Sequence, residues 1–292
     1  MLLSKPIRSA LFVPGTRLDR VPKAFATDAD VVIIDLEDAV SPLLKVKARS
    51  EVVQLLTTTE HENVVVRVNG TESKYFDEDI SAIAGTAVLA VIVPKVETAW
   101  DIGIINTAFL KAEDSKKIEH GSIPVIALIE SAAGVDNISE ITRAETIPPR
   151  LYTVAFGAAD YTLDLGIEMT PNGTELLYAR SRLPIACRAA GLVPPLDTPF
   201  MLDLKDLDAL QKDVSMAKQL GFQGKLCIHP NQVAIVNQTF TPAPETVEWA
   251  KKVVKAFEEA ESAGQSALQI DGKFIDTPVV LQARRILQLS ST

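Results

Sequence analysis

Residues 31–38 read Val-Val-Ile-Ile-Asp-Leu-Glu-Asp. Four β-branched apolar residues in succession, closed by acids, are the pattern of a parallel strand buried on both faces with a polar C-terminal rim. The same design recurs along the chain. Runs at 9–13, 64–68, 90–93, 125–129, 152–156 and 225–228 are apolar and end in polar or turn-forming residues, and a weaker one lies at 192–196, where Pro194-Pro195 shortens it. Between them come segments of helical period. Residues 45–56 place Val46, Val52, Val53 and Leu56 on one stripe, and 175–190 repeat this with Leu176, Leu177, Ala179, Leu183 and Ala186. Residues 205–220 stop at Gly221. Eight strand-then-helix units in about 240 residues predict a closed (β/α)₈ TIM barrel. No Gly-x-Gly-x-x-Gly opens a helix after the first strand, so a dinucleotide fold lacks its usual support.

Beyond His229-Pro230 the pattern changes. Residues 245–261 form an amphipathic helix with Val247, Ala250, Val254 and Phe257 on one side. A small, polar stretch at 263–266 follows, then a turn at Asp271-Gly272, and a last helix opens at Pro278 with Thr277 as its N-cap. We expect a barrel over 1–240 and a helical extension over 241–292, acting as a lid or an arm over a neighbouring subunit.

Composition narrows the function. The 292 residues are 47% hydrophobic and 23% charged, with 29 Lys+Arg against 38 Asp+Glu for a net charge of −9. That acidic balance opposes wholesale nucleic-acid binding but leaves room for a small anion where bases gather locally. Two cysteines and three scattered histidines make neither a disulfide scaffold nor a zinc site. No apolar run spans a membrane, and the N-terminus reads as a strand and turn, so the expectation is a soluble cytoplasmic protein.

In such barrels the active site lies past the strand C-termini. The rim residues here are Arg17, Arg20 and Lys23; Asp35, Glu37 and Asp38; Arg67 and Asn69; Lys95; Glu130; Gly157 and Asp160; Asp197; and His229. Glu130 and Asp160 follow neighbouring strands. Carboxylates converging without imidazole or thiolate suit a hard cation, Mg²⁺ above all; the alternative is salt bridges to Arg67, Lys95 or Arg49. Arg67 either forks onto a substrate carboxylate or neutralises the acids beside it. The Arg17/Arg20/Lys23 group either binds phosphate or forms a solvated face. Lys95 could form a Schiff base, His229 is a structural residue or a base, and Asp197 has no assigned role.

Taken together, these stretches resemble the citrate lyase β-subunit-like family of the HpcH/HpaI aldolase superfamily. The matching fragments run in order: 8–15 (Arg-Ser-Ala-Leu-Phe-Val-Pro-Gly), 34–40 (Ile-Asp-Leu-Glu-Asp-Ala-Val) with Lys45 and Arg49, 66–69 (Val-Arg-Val-Asn), 93–95 (Val-Pro-Lys), 129–132 (Ile-Glu-Ser-Ala), 156–160 (Phe-Gly-Ala-Ala-Asp), 221–225 (Gly-Phe-Gln-Gly-Lys) and 228–232 (Ile-His-Pro-Asn-Gln). The resemblance implies a Mg²⁺-dependent carbon–carbon lyase acting on an acyl thioester, with Mn²⁺ as a substitute. Glu130 and Asp160 would be the metal ligands, and Glu37 and Asp38 would hold metal-bound waters. Arg67 would bind the carboxylate and keto end of the substrate. Arg17, Arg20 and Lys23 would face the coenzyme A phosphates, in a homotrimer or hexamer.

Residues 274–278 (Phe-Ile-Asp-Thr-Pro) resemble the lid of malyl-CoA and citramalyl-CoA lyases, which would make Asp276 the residue that protonates the enolate in a neighbouring subunit; the alternative is an acid favoured only by its place at a helix N-terminus. Citramalyl-CoA would give pyruvate and acetyl-CoA; malyl-CoA would give glyoxylate and acetyl-CoA. The competing readings are a citrate lyase β subunit working on a carrier-bound citryl group, a non-catalytic acyl-CoA-binding barrel, and a Schiff-base aldolase using Lys95.

Overall fold

The computed structural model describes residues 6–262, 264 and 266–290. Eight parallel strands close a ring in sequence order: β1 (Ser9–Pro14), β2 (Val31–Asp35), β3 (Val64–Arg67), β4 (Ala90–Val93), β5 (Val125–Ile129), β6 (Leu151–Phe156), β7 (Leu196–Asp197) and β8 (Gly224–Cys227). The ring shuts where Ser9, Ala10 and Leu11 pair with Lys225, Leu226 and Cys227. β2, β4 and β5 are buried at every position, as their unbroken apolar runs predict.

The helices follow ordinary signals. Leu207–Leu220 is capped by Asp206, whose side chain accepts from the Ala209 N–H at 2.9 Å. It buries Leu210, Val214 and Ala217 one turn apart and ends at Gly221, whose φ of 104° needs glycine. The segment predicted as one helix over 175–190 is a short 3₁₀ turn at Thr174–Leu176 followed by Leu177–Ala189.

Strand seven departs from expectation. It does not occupy 192–196 but only Leu196–Asp197. Pro194 and Pro195 have no N–H for a ladder, so their neighbourhood is tied by other donors. The Thr153 hydroxyl donates to the carbonyls of Val193 (2.9 Å) and Pro194 (3.1 Å), and the Gln223 N–H donates to that of Pro195 (3.0 Å). Cations behind the strand do the rest. Asp197 receives a two-bond fork from Arg180 (3.0 and 2.9 Å) and the Lys225 ammonium at 2.5 Å, and all three side chains are buried. Asp213 completes this cluster, 2.8 Å from Arg180 and 2.6 Å from Lys225. Asp197 is therefore a structural residue of the layer between β7, β8 and their helices.

Residues Ile7–Asn237 form one compact unit, and the chain from Gln238 onward, with Pro6, belongs to a second. The second unit contains helix Pro244–Ser262, an antiparallel hairpin of β9 (Leu268–Ile270) and β10 (Lys273–Ile275), and helix Thr277–Ser290. Its core is Ala250, Val253, Phe257, Ile270, Ile275, Val280 and Ala283. Residues 263 and 265 of the small polar stretch lie outside the described residues. The N-cap of the last helix is Asp276 rather than the predicted Thr277. The helix starts at Thr277, and the Asp276 carboxylate accepts from the Val279 N–H at 3.3 Å. Among the described residues no helix is long and apolar enough to cross a membrane.

Candidate active site at the barrel mouth

Parallel register puts charge opposite charge at the top of the barrel. Pro14, Asp35 and Arg67 are register partners on β1, β2 and β3. Arg67 closes a two-bond fork on Asp35, Nε to Oδ1 and Nη2 to Oδ2, both 2.7 Å. Asp35 also accepts the N–H groups of Glu37 (2.9 Å) and Ala39 (3.0 Å), so it anchors the loop after β2. The guanidinium lies 4.9 Å from the Phe12 ring centroid. The fork expected to be open for a substrate carboxylate is thus engaged internally. What Arg67 presents to a ligand is its charge and its Nη1 end, 3.2 Å from Glu37 Oε2. Burial opposes charge on Arg67, but Asp35 outweighs it and raises its pKa.

Glu37 is clamped between two cations: Oε2 against Arg67, and Oε1 accepting from Lys95 Nζ at 2.9 Å. Burial still pushes its carboxyl above the usual range. The same loop is fixed from behind by Lys45, whose ammonium donates to the carbonyls of Leu36 (3.0 Å) and Glu37 (2.9 Å) and to Asn69 Oδ1 (2.6 Å). Asn69 in turn donates to Asp79, which also accepts from Arg49 at 2.6 Å. Arg49 therefore serves Asp79 and Glu78, not the acids of the rim. Lys95 is held as an ammonium by Glu37, which raises its pKa; that opposes the free amine a Schiff-base aldolase requires.

Glu130 stands one residue past β5, beside Gly157 one residue past β6. A Cβ at Gly157 would lie 2.6 Å from Glu130 Oε2, so the glycine makes room for the carboxylate. Oε1 accepts the Lys95 N–H at 2.9 Å. Asp160 sits in the first turn of helix Ala158–Leu165, whose Ala158 N–H donates to the Thr198 hydroxyl at 3.0 Å. Burial, then the charges of Asp160 and Glu37, push Glu130 up to about 8. Ionising Glu130 is thus disfavoured beside these acids, and a bound cation would relieve that cost. The donors are all oxygen, and among the described residues no group of three or more His, Cys, Asp or Glu is gathered to hold a metal ion. Two carboxylates leaving the remaining positions to water and ligand fit Mg²⁺.

These groups line a cavity of about 710 Å³ that includes Asp35, Asp38, Arg67, Glu130, Gly157, Asp160 and Thr198. Its apolar floor includes Phe12, Leu128 and Leu226, each two residues before a lining residue (Pro14, Glu130, Ile228) and so on the same strand face. Arg17, Arg20, Lys23 and His229 also line it. Arg17 is engaged by Asp19 in a two-bond pair at 2.9 Å. Arg20 and Lys23 have no such partner among the described residues, which leaves two cations facing the acids across one cavity. His229 Nδ1 accepts from the Asn231 N–H at 3.3 Å. Glu37 is not among the lining residues, and Asp276 belongs to the second unit.

Sequence reasoning places Asp35 and Gly157 on the rim without a role and does not name Thr198. The part Asp35 plays could have been found by aligning strand ends, since it and Arg67 close adjacent strands. Thr198 and the packing at Gly157 leave no such mark.

The family model described as HpcH/HpaI aldolase/citrate lyase matches residues 8–230. The citrate lyase subunit beta of Leuconostoc mesenteroides subsp. cremoris is 36% identical over 286 residues, covering 97% of this chain and 93% of that protein. The L-malyl-CoA/beta-methylmalyl-CoA lyase of Cereibacter sphaeroides is 31% identical over 307 residues, covering 98% and 95%. The crystal structure of the protein CitE from Mycobacterium tuberculosis, in complex with magnesium, acetoacetate and coenzyme A, superimposes with a TM-score of 0.79 at 30% identity over 99% of this chain and 100% of that one.

Proposed function

The chain belongs to the HpcH/HpaI aldolase/citrate lyase family, and from that premise we propose that it is a Mg²⁺-dependent lyase of 3-hydroxy-acyl-CoA thioesters. The substrate carries a carboxylate on its carbinol carbon, as citramalyl-CoA and malyl-CoA do. One observation carries the reading. A pair of crowded acids, Glu130 and Asp160, shares a cavity with two cations, Arg20 and Lys23, whose side chains close no ion pair or hydrogen bond of their own among the described residues. The first pair suits a divalent cation and the second the phosphates of coenzyme A.

Glu130 and Asp160 would hold Mg²⁺, which would supply Lewis acidity to the reaction. Arg67, kept cationic and oriented by Asp35, stabilises the oxygen that becomes the keto group. The carbinol proton passes to a carboxylate of the cavity wall, where Asp38 stands. Breaking the bond between the carbinol carbon and the thioester α-carbon leaves a keto acid and a thioester enolate. Asp276 of a neighbouring subunit gives its proton to the enolate carbon, which completes acetyl-CoA. Glu37, with both oxygens engaged by Lys95 and Arg67, orients Arg67 instead of ordering water, and Asp38 alone of the two faces the cavity. This reading implies a homo-oligomer, trimer or hexamer, with residues 241–292 as the element that crosses between subunits.

The test is keto-acid release from citramalyl-CoA and, separately, malyl-CoA, each with Mg²⁺ and with EDTA. Mg²⁺-dependent pyruvate or glyoxylate is expected, and the ratio of rates selects the acyl group. The identity to a citrate lyase β subunit over 97% of the chain favours a second reading, cleavage of a citryl thioester on a carrier protein. Silence on both CoA thioesters, with oxaloacetate released from the carrier-bound citryl group, would select it.

A further inference from the structure

Lys95 holds two of the site's acids at once without lining the cavity. Its backbone N–H donates to Glu130 Oε1, and its ammonium donates to Glu37 Oε1, both at 2.9 Å. Its φ is +58°, the left-handed region that a side chain enters at a cost. Glycine would hold that turn more comfortably and would give the same N–H, so the backbone geometry alone does not account for a lysine here. The Lys95 side chain is 55% exposed in a protein of net charge −9, yet its ammonium is paired with the Glu37 side chain, which is only 7% exposed.

The arrangement divides the acids into two sets. With Oε1 engaged by Lys95, Glu130 keeps Oε2, which lies against Gly157 and accepts no hydrogen bond among the described residues. Glu37 is held the other way, its two oxygens on Lys95 and Arg67.

We propose that Lys95 is a positioning residue that keeps the Glu37 carboxylate out of the cation site, so that Glu130 and Asp160 alone meet the cation and coordination positions remain for substrate. The proposal rests on the cation reading given above. Removing the ammonium releases one oxygen of Glu37 and takes a positive charge from beside the acids. Both changes favour a bare cation, whereas loss of a merely structural contact would loosen the site and weaken cation binding.

Mn²⁺ binding to the purified full-length protein, followed by calorimetry without substrate, separates these outcomes. Lys95→Met and Lys95→Gly are expected to bind Mn²⁺ roughly three- to tenfold more tightly than wild type, the scale of one nearby charge in a partly wet site. Lys95→Arg, which keeps the charge, is expected to match wild type. Lys95→Gly also relieves the left-handed strain, so its Tm should be at or above that of Lys95→Met. Unchanged or weaker Mn²⁺ binding in both neutral variants overturns the proposal, as does an arginine variant that behaves like them. A wild-type protein that binds no Mn²⁺ overturns the cation reading itself.

Discussion

At Gly157 a single hydrogen stands where any other residue would place a carbon 2.6 Å from Glu130 Oε2 and 2.7 Å from its Cβ. Gly157→Ala is therefore expected to push Glu130 aside, lowering Mn²⁺ affinity about tenfold or more while costing about 1–3 kcal/mol of stability. Calorimetry and urea unfolding read the two effects separately. Glu130 also sets a pH dependence. Its folded pKa of about 8 lies above that of an unfolded glutamate, so between the two the folded state holds a proton that the unfolded chain lacks. In EDTA its contribution to stability is full below the unfolded pKa and is lost as pH rises through about 8. A cation must displace that proton, so apparent Mn²⁺ affinity should climb up to tenfold per pH unit between pH 6 and about 8, then level off. A flat profile would mean that Glu130 is not a ligand. The partner each charge chooses was the least legible part of the site. Rim positions follow from strand ends, but whether Arg67 reaches Asp35 or a ligand, and whether Arg49 reaches the rim or Asp79, depends on where side chains from distant elements meet.

Elements differ in how plainly they were written. Strands β2 to β5 announce themselves because burial on both faces demands unbroken apolar runs, and most observed bounds fall within a residue of the expected ones. β7 does not, because a two-residue strand has no period to detect; its place is held by Arg180, Lys225 and Asp197. Asp197→Ala leaves two buried cations short of their counter-charge and is expected to cost about 3–5 kcal/mol in urea unfolding. Replacing the whole cluster with packed apolar residues need not. The last helix was foreseen, but its cap was assigned one residue late. Asp276 caps that helix and is also the proposed acid, so the two roles must be separated. Asparagine caps as well as aspartate, so Asp276→Asn should keep Tm while turnover falls about 10²–10⁴-fold. Asp276→Ala should lose about 1 kcal/mol as well. An active Asp276→Asn enzyme would remove the assignment.

For the molecule as a whole, a net negative charge surrounds a cavity that is lined by charges of both signs. The chain carries −9, yet Arg20, Lys23 and Arg67 line the cavity. An anionic thioester, the substrate proposed above, would approach against the overall field and meet cations only at particular side chains inside. Raising salt screens both, but most strongly the long-range repulsion. The KM for a CoA thioester should therefore change less steeply with ionic strength than the two exposed cations Arg20 and Lys23 alone would dictate, with kcat unaffected; steady-state rates across a salt series would show this. The floor of Phe12, Leu128 and Leu226 carries a further consequence. The interior of a barrel of this kind is filled by side chains and leaves no pore, so substrate enters and products leave past the strand C-termini. Whatever fragment rests against the acids cannot depart until the fragment above it has cleared the shaft. For the reaction proposed above, the sequence of product departure would be set by depth, acetyl-CoA first and the keto acid last, so added keto acid should bind the emptied enzyme and inhibit competitively with the thioester.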